Sequence, residues 1–204
     1  GIECFEFYRN RAFAQGITGS LAQDVCLHID SDNNKSHTNT RNIIIFPGAQ
    51  AEFRRWSPEH FAHVIRLLSQ DHNDFKFILC GGPNDIVLGE RILTQLTEEV
   101  NVYNLIGKTS LIDLTKLIGE ALLLISNETS SVHIAASLNV STICISNGNH
   151  YGRFNPYPLE LKKNIFTVYP YPSFYDESKY ETNVEKFKVA SKIDINIIEP
   201  YEVY

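Results

Sequence analysis

ALLLISNETSSVHIAASLNVSTICIS, residues 121 to 146, holds two apolar runs separated by a helix-like segment. ALLLIS (121–126) and STICIS (141–146) read as strands buried on both faces, because neither alternates polar with apolar residues. Between them, Val132, Ala135 and Ala136 fall on one side of a helix, as a helix packed on a sheet requires. Strand, helix, strand in so short a span is a βαβ unit, whose two strands must be parallel and whose crossover is right-handed.

Working outward, the same unit recurs. NIIIF (42–46) is a β-branched apolar run followed by a Gly-containing loop. The next helix carries Phe61, Val64, Ile65 and Leu68 at i, i+3, i+4 and i+7, with Ser57 as N-cap and Pro58 at its first position. FKFILC (75–80) precedes GGPND and a helix predicted from Ile86 to Glu99. NVYNLI (101–106) precedes a helix from about Ser110 with Leu111, Leu114 and Ile118 on one face. KNIFTVY (163–169) reads as a sixth strand. These units predict an α/β, doubly wound, parallel sheet of Rossmann-like type, whose ligands bind at the carboxyl ends of the strands.

Composition narrows the possible functions. The 204 residues are 43% hydrophobic, enough for a real core, and the net charge of −6 argues against a nucleic-acid surface. Cys4, Cys26, Cys80 and Cys144 form no CxxC pair, and Cys80 and Cys144 read as buried thiols of a reducing compartment. No apolar run is long enough to span a bilayer, so a cytoplasmic location is expected. The chain contains no methionine, which leads us to expect that it begins inside a longer gene product.

The organisation expected is an incoming helix and linker over 1–40, a Rossmann-like domain over 41–170, and a tail over 171–204 packing toward an absent domain. The first helix carries Ile2, Phe5, Tyr8 and Ala12 on one face and is predicted to stop at Gly16. A short helix is expected near Thr182 to Ala190 in the tail.

Two loops at the expected ligand edge favour anions. In SNETSSVHIAAS (126–137) the helix begins at Thr129 or Ser130, and His133 shares their ridge and points back toward the N-terminus. Unpaired N–H groups, hydroxyls and the imidazole there suit a phosphate, the plainer alternative being a capped helix with a surface histidine. In FPGAQAEFRRWSPEHF (46–61), Gly48 permits close backbone approach to a ligand, and Arg54 and Arg55 can clamp a diphosphate. The single tryptophan, Trp56, adjoins them and is expected beside the phosphate, the plainer alternative being a solvated basic turn with Trp56 as a packing residue. NGNHYGRFNPYP (147–158), with His150 and Arg153, either covers a sugar or phosphate or is a rigid connection packed on the core.

Other fragments lack their full motifs. IGKT (106–109) has Val102 where a P-loop needs glycine, and no stretch supplies a dinucleotide fingerprint. His60 and His63 have no third metal ligand nearby.

Taken in order, FPGAQAEFRRWSPEHFA, ILCGGPND, NLIGKTSLIDLTKLI and ISNETSSVHIAASLNVSTICISNGN resemble the C-terminal half of glycosyltransferase family 9, the heptosyltransferase-like enzymes of lipopolysaccharide core synthesis. The resemblance covers about residues 41 to 158. It implies the C-terminal domain of a GT-B enzyme that transfers a sugar, heptose above all, from a nucleotide diphosphate donor such as ADP-heptose to a lipopolysaccharide-type glycan. Inversion, no cofactor and no metal are also implied. The acceptor site and catalytic base belong to the N-terminal domain, so this chain is expected to be inactive alone and to meet a glycolipid, and the inner face of the inner membrane peripherally, through that other half.

By the same resemblance, Arg54 takes the place of a phosphate-contacting lysine, and Glu128, Thr129 and Ser130 stand where the family has Asp-Thr-Gly, followed by His133. Arg54 and His133 would stabilise the leaving group. Gly48, Gln50, Lys108, Thr109 and Arg153 complete the implied donor site, with Ile106 to Thr109 lining the base. Asp85 either touches the ribose or caps a helix, and Glu128 is expected to turn toward sugar hydroxyls. The alternatives are a non-catalytic nucleotide-sugar-binding module or another GT-B-like enzyme such as a nucleotide-sugar epimerase. A Gly-rich first loop and a cleft carboxylate upstream would favour the transferase.

Overall fold

The structure is a computed structural model that describes residues 5–19, 41–161 and 164–204. Its strands are β1 (Asn42–Phe46), β2 (Lys76–Leu79), β3 (Val102–Asn104), β4 (Leu123–Asn127), β5 (Thr142–Ile145) and β6 (Ile165–Val168). Every pairing is parallel, in the order β3-β2-β1-β4-β5-β6. Strand order reverses between β1 and β4, so the loops leaving these strands diverge to opposite faces and leave a crevice between them. The doubly wound parallel sheet read from the sequence is the fold observed.

The helices are α1 (Glu6–Thr18), α2 (Pro58–Asp71), α3 (Ile86–Thr94), α4 (Leu111–Gly119), α5 (Ser130–Leu138), α6 (Tyr180–Phe187) and α7 (Pro200–Val203). Alternate residues of β1 feed opposite sides of the sheet, because the strand period is two. Ile43 and Ile45 pack with Phe61, Val64 and Ile65 of α2 and Ile92 of α3, whereas Ile44 packs with Ile118 of α4 and Ala135 of α5. Phe5 closes a third cluster against Val132, Ala136 and Tyr157.

Local chemistry explains the helix boundaries. Ser57 accepts a hydrogen bond from the His60 N–H at 3.2 Å, and Pro58 follows at the first helical position. Ser110 and Asp113 form a reciprocal capping box at the start of α4. Thr129 is the N-cap residue of α5, and Asn139 at φ 59° closes its other end.

Four local expectations are corrected. The first helix passes through Gly16 and ends at Gly19, whose φ of 67° gives the left-handed cap; Ile2 lies outside the described residues, as do Cys4, Cys26 and the polar stretch 31–40. Helix α3 stops at Thr94 rather than Glu99, and the chain then turns so that Leu96 and Val100 still reach the core. Leu111, at the first position of α4, is 67% exposed, and Leu114, Leu117 and Ile118 are the residues that face inward.

Trp56 is the fourth. Its indole does not border the anion-favouring loop: it is 1% exposed, packs edge-on to Phe61, and donates its N–H to the Ile198 carbonyl at 2.8 Å. Ile195, Ile198 and Val203 thereby join the main core, so the tail folds onto α2 of this domain. Cys80 and Cys144 are buried free thiols, and burial pushes the Cys80 pKa up to about 12.

Candidate functional site

A cleft of about 530 Å³ opens at the carboxyl ends of β1, β2 and β4, at the reversal of strand order. From the loop after β1 come Gly48, Ala49, Gln50, Arg54 and Arg55; from that after β2, Gly82 to Asp85; from β4 and the start of α5, Glu128, Thr129, Ser130 and His133. Phe154, from the loop after β5, closes one side. Residues far apart in the chain meet here because parallel strands deliver all their following loops to one edge.

Asn127, at the end of β4, joins these loops. Its amide donates to the Pro47 carbonyl at 2.7 Å, and its side-chain oxygen accepts from the Trp56 N–H at 3.1 Å. Arg54 then spans the crevice, donating from Nη2 to the Glu128 carbonyl at 2.5 Å and lying 3.8 Å from Glu128 Oε1. Arg55 is tied back to the Ala49 carbonyl at 2.7 Å. One guanidinium thus bridges the two sides of the cleft with its side chain 21% exposed.

Glu128 is turned inward more than its neighbours. It is 3% exposed, Oε2 accepts from the Ser146 hydroxyl, and Oε1 has no hydrogen-bond partner. Burial raises its pKa, against opposing contributions from Ser146 and Arg54. The Thr129 hydroxyl shares a hydrogen bond with Ser131 at 2.7 Å, and Ser131 with Ser126 at 2.8 Å, fixing the entry to α5. His133 places Nδ1 2.5 Å from the Tyr157 hydroxyl. Burial, and after it the charge of Arg54, lowers the His133 pKa, so the imidazole is uncharged near neutrality.

Asp85 has a structural role. Its carboxylate accepts from the Gly82 N–H at 2.9 Å and fills the space at Gly48, where a Cβ would lie 2.2 Å from Oδ2. Gly48 is therefore required by a neighbouring side chain, in addition to any ligand.

Of the residues expected at the donor site, Gly48, Gln50, Arg54, Glu128, Thr129, Ser130 and His133 line one cleft. Lys108, Thr109 and Arg153 do not. Lys108 Nζ donates to the Asn104 carbonyl at 3.0 Å, and a Cβ at Gly107 would lie 3.3 Å from the Pro83 Cα. Arg153 pairs with Glu6 at 2.9 Å and clips the 147–158 loop to α1. Sequence reasoning missed Asn127, Phe154 and Tyr157; the aromatic density of 147–158 was the available signal for the last two.

The profile of glycosyltransferase family 9 (heptosyltransferase) matches residues 13–183. The chain belongs to glycosyltransferase family 9. Family relatives include lipooligosaccharide heptosyltransferase 2 of Haemophilus influenzae, 32% identical over 63% of this chain and 37% of that protein. Lipopolysaccharide heptosyltransferase 2 of Escherichia coli is 29% identical over 67% of this chain and 39% of its own length. Each alignment spans well under half of the curated relative. In fold, the E. coli ADP-heptose lps heptosyltransferase II superposes with a TM-score of 0.62 at 19% identity, covering 96% of this chain and 49% of that one. E. coli heptosyltransferase WaaC with ADP gives 0.55 at 20% identity over 64% of this chain and 38% of that one. Among the described residues no helix is long and apolar enough to cross a membrane.

Proposed function

We propose that this chain is the nucleotide-sugar-binding part of an inverting glycosyltransferase, taking a heptose from ADP-heptose for a lipopolysaccharide-type acceptor. The observation that carries the reading is the convergence of Arg54, the N-terminus of α5 and His133 on one cleft at the reversal of strand order. The named relatives are heptosyltransferases, and one structural neighbour holds ADP. A further domain supplies the acceptor site and the catalytic base, at the inner face of the membrane.

In this reading the diphosphate lies across the mouth of α5. As the glycosidic bond breaks, negative charge grows on the departing diphosphate, and groups already aimed at it lower the barrier. Arg54 supplies a full positive charge, the free N–H groups of Ser130 and Ser131 a partial one, and His133 a neutral donor. Glu128 raises the question of repulsion beside a diphosphate. Burial favours its protonated form, which weakens that repulsion, and the carboxyl is turned into the interior, with Oε1 buried beside Arg54 rather than offered to a sugar hydroxyl.

Because Trp56 is sequestered in the core, calorimetry is the suitable assay. ADP is expected to bind in preference to UDP and GDP, with Arg54→Ala weakening it about tenfold or more, as loss of a charge-assisted hydrogen bond implies. Binding that ignores Arg54, or a preference for UDP, would overturn the assignment.

A further inference from the structure

The single hydrogen bond of the Tyr157 hydroxyl among the described residues goes to His133 Nδ1, at 2.5 Å. Tyr157 is 7% exposed and packed with Phe5, Val132, Ala136 and Cys144. Its ring lies edge-on to Phe5 at 5.1 Å, so the hydroxyl has little freedom to seek another partner. The proton between the two side chains can be arranged in two ways. If Nδ1–H donates to the phenol oxygen, the phenol proton has no acceptor among the hydrogen bonds of the described residues, leaving the donor of a largely buried side chain unpaired. If the phenol donates to Nδ1, that donor is satisfied and the imidazole proton sits on Nε2.

The second arrangement fits the surroundings. His133 lines the cleft, and with Nδ1 committed to Tyr157, Nε2 is the nitrogen left to meet what the cleft holds. The doubly protonated ring is opposed by burial and by the Arg54 charge, and burial pushes the Tyr157 pKa up, keeping its proton in place. We propose that Tyr157 is a positioning residue that holds His133 as the Nε2–H tautomer, so that the ring presents a fixed hydrogen-bond donor to the diphosphate. The diphosphate in that statement rests on the donor-site reading above; the tautomer does not.

Two readouts separate them. In the side-chain 15N spectrum of the wild-type chain at pH 7.5, assigned by its loss in His133→Ala, His133 is expected as the Nε2–H tautomer. Tyr157→Phe, which keeps the ring and removes only the hydroxyl, should convert it to a tautomer mixture. A wild-type Nδ1–H tautomer or a cationic ring would overturn the proposal, even if Tyr157→Phe folds poorly. In calorimetry, Tyr157→Phe should weaken ADP about threefold to tenfold in the wild-type background and less than about twofold on top of His133→Ala. A penalty that persists undiminished in the His133→Ala background would make Tyr157 a packing residue and end the proposal. Failure of ADP to bind wild type would instead remove the donor-site reading, while the 15N spectrum still decides the tautomer.

Discussion

The carboxyl of Glu128 is held among groups that pull its proton affinity in opposite directions. Burial raises its pKa above the ordinary 4.5, while the Ser146 hydroxyl and the Arg54 charge lower it, and burial dominates. The folded chain therefore binds this proton more tightly than the unfolded chain. Its contribution to stability is complete below pH 4.5 and is lost as pH rises through the folded-state pKa. Glu128→Gln imitates the neutral acid, so it should melt a few degrees higher than wild type at pH 8, with the gap closing toward pH 4.5. A wild type that is the more stable at pH 8 would show the ionised carboxylate to be a net-favourable partner of Arg54. Arg54, Thr129 and His133 could be picked out from the sequence because charge and helix-start chemistry are local. The inward turn of Glu128 could not, since Ser146 follows a different strand, β5, 18 positions away.

Between elements, the Asn127 staple joins the end of β4, the loop after β1 and the approach to α2. Its two hydrogen bonds are buried, so Asn127→Ala leaves the Trp56 N–H and the Pro47 carbonyl without partners in the interior. That should cost about 2–3 kcal/mol in urea unfolding and also weaken ADP, because the loop bearing Arg54 loses its anchor. Stability loss with unchanged affinity would mean that the loop is held by other contacts. Asn127 had no signature in the sequence, where it reads as one more polar residue of SNETSS. The neighbouring helix starts at Ser57 and Ser110 did, because an N-cap bonds within its own first turn.

At the scale of the whole molecule, the tail completes the core it would otherwise leave open. Removing residues 194–204 strips Ile195, Ile198 and Val203 from the main cluster and the indole N–H of Trp56 from its acceptor. Three buried aliphatic side chains at roughly 1.5–3 kcal/mol each approach the entire stability of a domain. The truncated chain should therefore be largely unfolded near 25 °C, with Trp56 emission shifted to the red; a native spectrum and an unchanged melting temperature would refute that packing role. The parallel doubly wound sheet, six strand positions, most helix starts and the loops that carry the anion-favouring residues were all legible in the sequence. They were so because strand and helix periodicity and capping act over a few residues. That Trp56 belongs to the core, that Arg153 and Lys108 do not line the cleft, and that Tyr157 reaches His133 emerged with the three-dimensional fold. For Trp56, Arg153 and Tyr157 those outcomes depend on contacts between residues 24 to 147 positions apart, set by strand order and by the side of the sheet to which each crossover returns.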